Sequence, residues 1–408
     1  MDQFPIGCWN YFPVENAYQG MVRDWHDLGL NNPLTPSFDE GADKDRMIRL
    51  LDECAEYGMK VFVWDERCAL LPGRFRQMGG EMGYRAAFQR ALDDFGSHPA
   101  VKGFYVGDEP DAPDAADYFA AARIQREMAP DLTPYLNLLP WFDWIGERIG
   151  AEAYAPYLDR AVKEANLKLL AYDCYTQMWP GDKGWDVYFN NLREHMLAGQ
   201  RGKVPFCSTI LCTGHYDYAC PNQNDFRWQI STAVAMGAKG LAYFYVNGME
   251  PHDNYRQYPI NCFHERTQTF EWMSYENRLF QQRFGDILLS LTPVKQAFTQ
   301  KAYGGLELFR PDEKLISAYG SEKVNLLISR FADESGRAYW AVVNLDRTAN
   351  TEANLRFARG MDLERRMFNR NFERADNRMD AVAARTEDGA SIRMWLAPGQ
   401  MELLREVR

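Results

Sequence analysis

The chain has 408 residues, 46% hydrophobic and 25% charged, with a formal net charge of −11. That composition belongs to a soluble globular protein too long for one ordinary core, and a large domain with a smaller one is expected. The acidic balance argues against nucleic acid and anionic membranes, which need clustered Lys and Arg, and no apolar run approaches the length of a spanning helix.

In chain order, the first ~290 residues alternate strand-like runs with amphipathic helices, the pattern of a parallel α/β domain. Eight runs read as strands: 4–9, 29–34, 60–65, 103–108, 134–139, 167–173, 205–211 and 240–246. Helical spacing recurs between them, over 45–58, 84–99 and 226–238. Eight strand–helix units in this length predict a (β/α)8 TIM barrel over residues 1–292. A doubly wound sheet is the rival, and no G-x-G-x-x-G follows the first strand to support nucleotide binding. From residue 293 to 408 the texture changes to short strands with turns rich in Asp, Glu, Gly and Asn. Candidates are 315–320, 324–331, 338–346, 352–358, 364–370 and 391–406, which predict a small antiparallel β-sandwich. Trp340 and Trp395 sit in apolar strands there and read as core, with a second sugar site as the alternative.

The eight cysteines are scattered and read as free thiols rather than a disulfide framework. Cys212, His215 and Cys220, or His215, His252 and His264, are conceivable metal ligands, but no C-x-x-C or H-E-x-x-H supports them. No metal and no cofactor is expected. The opening MDQFPIGCWN has neither a basic nor an apolar leader segment, so a cytoplasmic protein is expected, with a removed secretory signal as the alternative.

In a barrel, function gathers where the C-terminal ends of the strands form a rim. The predicted strand ends supply Trp9, Asn10, Tyr11, Trp64, Asp65, Glu66, Asp108, Glu109, Asn137, Asp173, Tyr175, Thr209, Tyr245 and Asn247 and, further out, Trp141, His215, Tyr216 and Glu250. This set is acidic, amidic and aromatic, and almost without Lys or Arg. A phosphate substrate would want a cationic clamp. A neutral sugar suits carboxylates, amides and flat rings.

Glu109 stands out in "VKGFYVGDEP", where a strand runs straight into two adjacent acids and a proline. A carboxylic acid beside a second carboxylate in a partly dry cleft keeps its proton to higher pH, as glycosidic cleavage requires. The competing reading is a helix N-cap, since acids and proline both favour a first turn. The other rim residues divide in the same way. Asp65 reads as a hydroxyl ligand or a salt-bridge partner of Arg67. Asn137 reads as a hydroxyl ligand or a buried amide. Trp9, Trp141 and Trp179 read as stacking platforms or packing. Tyr175 and Tyr245 tune a carboxylate or fill the core.

"GFYVGDEP" resembles the acid/base segment of β-galactosidase-like (β/α)8 glycoside hydrolases, in which a Glu preceded by Asn or Asp ends strand 4. "FPIGCWNYFP" resembles their first barrel strand, "YDCY" (172–175) their strand 6 Asp-x-Tyr, and "STAVAMGAKGLAYFYV" (231–246) their last helix and strand. The trailing sandwich resembles their accessory β domain. The resemblance implies glycosidase activity on a small neutral glycan, with Glu109 as general acid/base. It departs at strand 7, where "VPFCSTILCTGHYDY" supplies no nucleophilic Glu and Asp217 lies well into the loop. Asp173 is the preferred second carboxylate, as nucleophile or base, then Glu250, then assistance by the substrate itself as in chitinase-like barrels. Asn10, Asp65, Asp108 and Asn137 are expected to bind substrate. A non-catalytic sugar-binding barrel and a metal-dependent sugar isomerase or lyase are the alternatives.

Overall fold

The computed structural model describes residues 3–251, 253–375, 380–386 and 389–407. Eight parallel strands form one sheet: β1 (Ile6–Cys8), β2 (Leu34–Phe38), β3 (Val61–Asp65), β4 (Val101–Asp108), β5 (Tyr135–Leu138), β6 (Leu170–Asp173), β7 (Phe206–Leu211) and β8 (Gly240–Phe244). Their order is β1-β8-β7-β6-β5-β4-β3-β2. The seam between β1 and β2 is closed by loop backbone: Asn31 and Asn32 N–H donate to the Ile6 carbonyl at 2.8 and 2.9 Å, and Ser37 N–H donates to Phe12 at 2.8 Å. The result is a nearly closed (β/α)8 barrel.

Strand alternation sorts the side chains. Val61 and Val63 of β3 pack outward under the helices, while Phe62 and Trp64 join Trp9, Leu34, Tyr105 and Tyr135 in the barrel interior. The helices begin where the caps direct. Asp43 accepts from Arg46 N–H at the start of Lys44–Glu56, and Asn222 and Asp225 form a capping box for Gln223–Ala235.

The second strand departs from expectation. Residues 29–33 form a loop, because the Asn31 side chain bonds the Ile6 N–H and the Phe4 carbonyl instead of leaving the backbone free for a ladder. The strand itself is "LTPSF", where Pro36 is tolerated because β2 is the last strand in the sheet order and, among the described residues, has no strand partner on its β1 side.

Among the described residues, eleven short strands follow the barrel: β9 (Thr292–Phe298), β10 (Glu307–Leu308), β11 (Leu315–Gly320), β12 (Leu326–Ala332), β13 (Ala338–Asn344), β14 (Thr351–Phe357), β15 (Leu363–Arg366), β16 (Phe372–Arg374), β17 (Ala381–Thr386), β18 (Gly389–Leu396) and β19 (Met401–Glu406). They make a seven-stranded sheet, β10-β9-β12-β13-β19-β15-β16, and a four-stranded sheet, β11-β14-β18-β17. β12 and β13 read as nearly continuous apolar runs because both faces are covered. Ile328, Trp340 and Val342 fill the sandwich, while Leu327, Tyr339, Ala341 and Val343 pack on the barrel side. Arg347 reaches back over Trp185 and Trp228 and donates to the carbonyls of Gln177 (3.0 Å) and Gly181 (3.1 Å).

Three expectations here change. β9, β10, β16 and β17 add to the predicted strands. The run 391–406 is two strands split by the Pro398–Gly399 turn. Trp340 is core, but Trp395 is 54% exposed. On β18, Ile392, Met394 and Leu396 take the inward parity and leave Trp395 outside beside Arg393.

Candidate active site

Rim chemistry on this barrel depends on a local irregularity in β4. The register between β4 and β5 shifts between Tyr105 and Gly107, so that Asp108 aligns with Asn137. This bulge turns Asp108 towards the interior, where unbroken alternation from Tyr105 would place it outside. Only glycine fits at 107, since a Cβ there would lie 2.3 Å from the Tyr118 ring. Glu109 follows with φ of 42°, a left-handed conformation uncommon for a non-glycine residue, and its N–H donates to the Asn137 carbonyl at 2.9 Å. The next helix, Ala112–Met128, begins three residues later with Asp111 as N-cap, so neither Asp108 nor Glu109 serves as the cap.

Three carboxylates meet here. The Asn137 amide donates to Asp108 at 2.9 Å and to Asp173 at 2.7 Å, tying the ends of β4, β5 and β6 together. Glu109 and Asp173 are hydrogen-bonded to each other, and Tyr175 donates to Asp173. A hydrogen bond between two carboxyl groups requires a proton, and the raised pKa values of all three acids favour the cluster holding one. Burial, then Asp173, raises Asp108 to about 7. Burial, then Asp173 and Asp108, raises Glu109 to about 10, with Arg148 an opposing charge. Burial also raises Asp173, although the bonds it accepts act against this. The cause is the one anticipated: close acids in a partly dry site. All three remain in touch with solvent, and Asp108 is exposed at its tip although protein surrounds it closely.

The rest of the rim is aromatic. Tyr11 lies within electrostatic reach of all three acids and packs against Trp64, Phe244 and Tyr245. His215 is buried, which lowers its pKa and keeps the ring neutral. It stacks on Tyr255 and touches Tyr175, Tyr218 and Phe244. Trp179 stacks on Tyr218 at 6.0 Å.

Among the expected site residues, Asp108, Glu109, Asn137, Asp173 and Tyr175 therefore come together, with Tyr245 beside Tyr11. Five others stand elsewhere. Asp65 has the outward parity of Val61 and Val63. It is fully buried and held by Arg67 at 2.6 Å, and Arg67 also bonds Asp94 at 2.7 Å. Asn10 likewise faces out, accepting from Phe12 N–H and donating to the Met21 sulfur. Trp141 packs on Tyr154. Glu250 is exposed in the loop after β8, where it acts on Tyr258. Trp9 lies deeper in the barrel, 3% exposed, against Tyr105 and Tyr135. Trp64 and Tyr11, both among the strand-end residues but not singled out as substrate ligands, were findable by parity. Each lies two residues beyond an interior side chain, Phe62 and Trp9.

Among the described residues no three His, Cys, Asp or Glu side chains gather as a metal site, and the eight cysteines are free. His252 lies outside the described residues. No described helix is long and apolar enough to cross a membrane.

No family model and no curated protein matches the sequence. Solved structures do match. Gan42B, a GH42 β-galactosidase from G. stearothermophilus, aligns over 100% of this chain and 98% of its own with a TM-score of 0.62 at 9% identity. A family 39 glycoside hydrolase from Bacteroides cellulosilyticus WH2 aligns over 99% and 81%, with a TM-score of 0.57 at 10% identity. The β-galactosidase of the psychrophilic Marinomonas ef1 aligns over 70% of this chain at a TM-score of 0.52 and 12% identity, and the chain spans 62% of that enzyme's length. The fold is that of these glycoside hydrolases.

Proposed function

We propose that the protein is a glycoside hydrolase acting on a neutral glycan or glycoside, with Glu109 as its proton donor. The observation that carries this reading is the carboxyl cluster at the C-terminal rim, where Asn137 bridges Asp173 to Asp108 and Glu109 lies against Asp173 with its pKa raised. In the reaction Glu109 gives its proton to the glycosidic oxygen as the bond to the anomeric carbon breaks. Asp173, released from that proton, stabilises the positive charge growing on the sugar ring. Glu109, now a carboxylate, takes a proton from the water that enters. The uncharged aromatic rim around Tyr11, Tyr175 and Tyr218 favours a sugar with no phosphate. The likeness in fold to glycoside hydrolases supports the same reading.

The test is Glu109→Gln. Turnover of aryl glycosides falls by about 10²–10⁴-fold while calorimetric sugar binding survives. Full activity in this variant removes the assignment. Sugar binding by the wild-type protein with no hydrolysis of any glycoside favours the non-catalytic barrel. Divalent metal in the purified protein favours the isomerase or lyase.

A further inference from the structure

The three acids occupy one sector of the rim, the ends of β4 and β6 on either side of β5. The interior positions at the same level on β7, β8, β1 and β3 are Thr209, Leu211, Phe244, Tyr11 and Trp64. None of these bears a carboxylate. Double displacement places a nucleophilic carboxylate about 5–5.5 Å from the acid across the sugar, and inversion needs a wider gap holding a water. Asp173 is in hydrogen-bond contact with Glu109 instead, on the same wall. A sugar whose leaving oxygen faces Glu109 turns its other face towards rings and a threonine. Among the described residues, the strand ends on that side offer no carboxylate as the group to trap the anomeric carbon.

We infer that the substrate supplies that group itself, as a 2-acetamido sugar in β-linkage whose carbonyl oxygen closes on the anomeric carbon. This rests on the glycosidase reading above. Asp108 is the carboxylate suited to the acetamide N–H. It accepts from Asn137 and is open to solvent, whereas Asp173 already takes Asn137, Tyr175 and Glu109.

The balance of the step is closed. The bond from the acetamide oxygen to C1 forms as the bond from C1 to the leaving oxygen breaks, and Glu109 transfers its proton to that oxygen. The resulting cyclic oxazolinium holds its N–H against Asp108. Water then adds to C1 as the ring opens, and its proton returns to Glu109. The β-configuration is required because the acetamide must attack from the face opposite the leaving group.

The experiment compares p-nitrophenyl 2-acetamido-2-deoxy-β-D-glucoside and -galactoside with their 2-hydroxy parents. The acetamido compounds are expected to turn over at least ~10³-fold faster. Their rate should fall stepwise as the acetyl group is fluorinated, since fluorine weakens the attacking oxygen. Asp108→Asn is expected to lose ~10²-fold or more on the acetamido series, with far-ultraviolet circular dichroism confirming its fold. Equal or faster cleavage of the 2-hydroxy parents, or a covalent adduct with a 2-fluoro glycoside by mass spectrometry, overturns the inference and leaves the glycosidase reading standing. Cleavage of neither series removes both.

Discussion

Replacing Glu109 by Gln should stabilise the protein, and by an amount that grows with pH. Gln keeps the shape of Glu109 and an N–H that can donate to Asp173, but it cannot ionise. The sign follows from linkage. Between the unfolded carboxyl value near 4.3 and the raised native value, the unfolded chain has released this proton while the native state still holds it. The wild type therefore loses stability as pH rises through that window, and the variant does not. An isolated group would yield 1.36 kcal/mol per pH unit, as an upper bound. Glu109 is only part-buried and shares its proton with two neighbours, which reduces this to about 1–2 kcal/mol between pH 5 and 7.5. For a chain of this length that is roughly 1–2 °C in Tm. Thermal denaturation of both proteins from pH 4 to 8 measures it. The curves should meet near pH 4 and separate upward, with the variant higher. A variant less stable at pH 7.5, or offset equally at every pH, would contradict a protonated, mutually repelling cluster.

Asn137→Ala deletes the donor shared by Asp108 and Asp173. Their pKa values then rise, and the acid limb of the kcat/KM profile moves up by about one pH unit, read from a pH–rate series. Asp65→Asn strips one partner from the buried Arg67, which keeps Asp94. Unfolding in urea should show a loss of about 2–4 kcal/mol, while calorimetric sugar affinity stays unchanged. Gly107→Ala drives a methyl into Tyr118 and is expected to cost about 3 kcal/mol or more. The paired change Gly107→Ala with Tyr118→Ala should recover part of that in the same denaturation assay. Arg347→Ala removes the cation bridging the two domains, and calorimetry should show the sandwich transition separating from that of the barrel.

The barrel was legible because its signals are local. Eight apolar runs, helical spacing between them and the change of texture near residue 293 each follow from a short stretch of chain. Strand 2 was misplaced because its seam uses side-chain bonds from Asn31 to hold backbone, and such bonds have no periodic signature. Trp395 was misread because an apolar strand says nothing about which parity faces in. That choice is made by the opposite sheet, through Trp340 and Val342.

The site divides along the same line. Rim position alone singled out Asp65 and Asn10, and both turned out to face the helices. Counting by twos from Phe62 and from Trp9 separates Asp65 from Trp64 and Asn10 from Tyr11, so parity was a usable signal and rim position was not. Yet parity by itself would also have discarded Asp108, three residues beyond the interior Tyr105. Asp108 reaches the interior only through the bulge at Gly107, and that bulge is the tertiary consequence of Tyr118 and Leu70 pressing on the strand. The irregularity that hides the acid from a periodic reading is therefore also what sets it beside Asp173. A glycine followed by two acids at the end of an apolar strand carries that information in the sequence, as a break in the pattern.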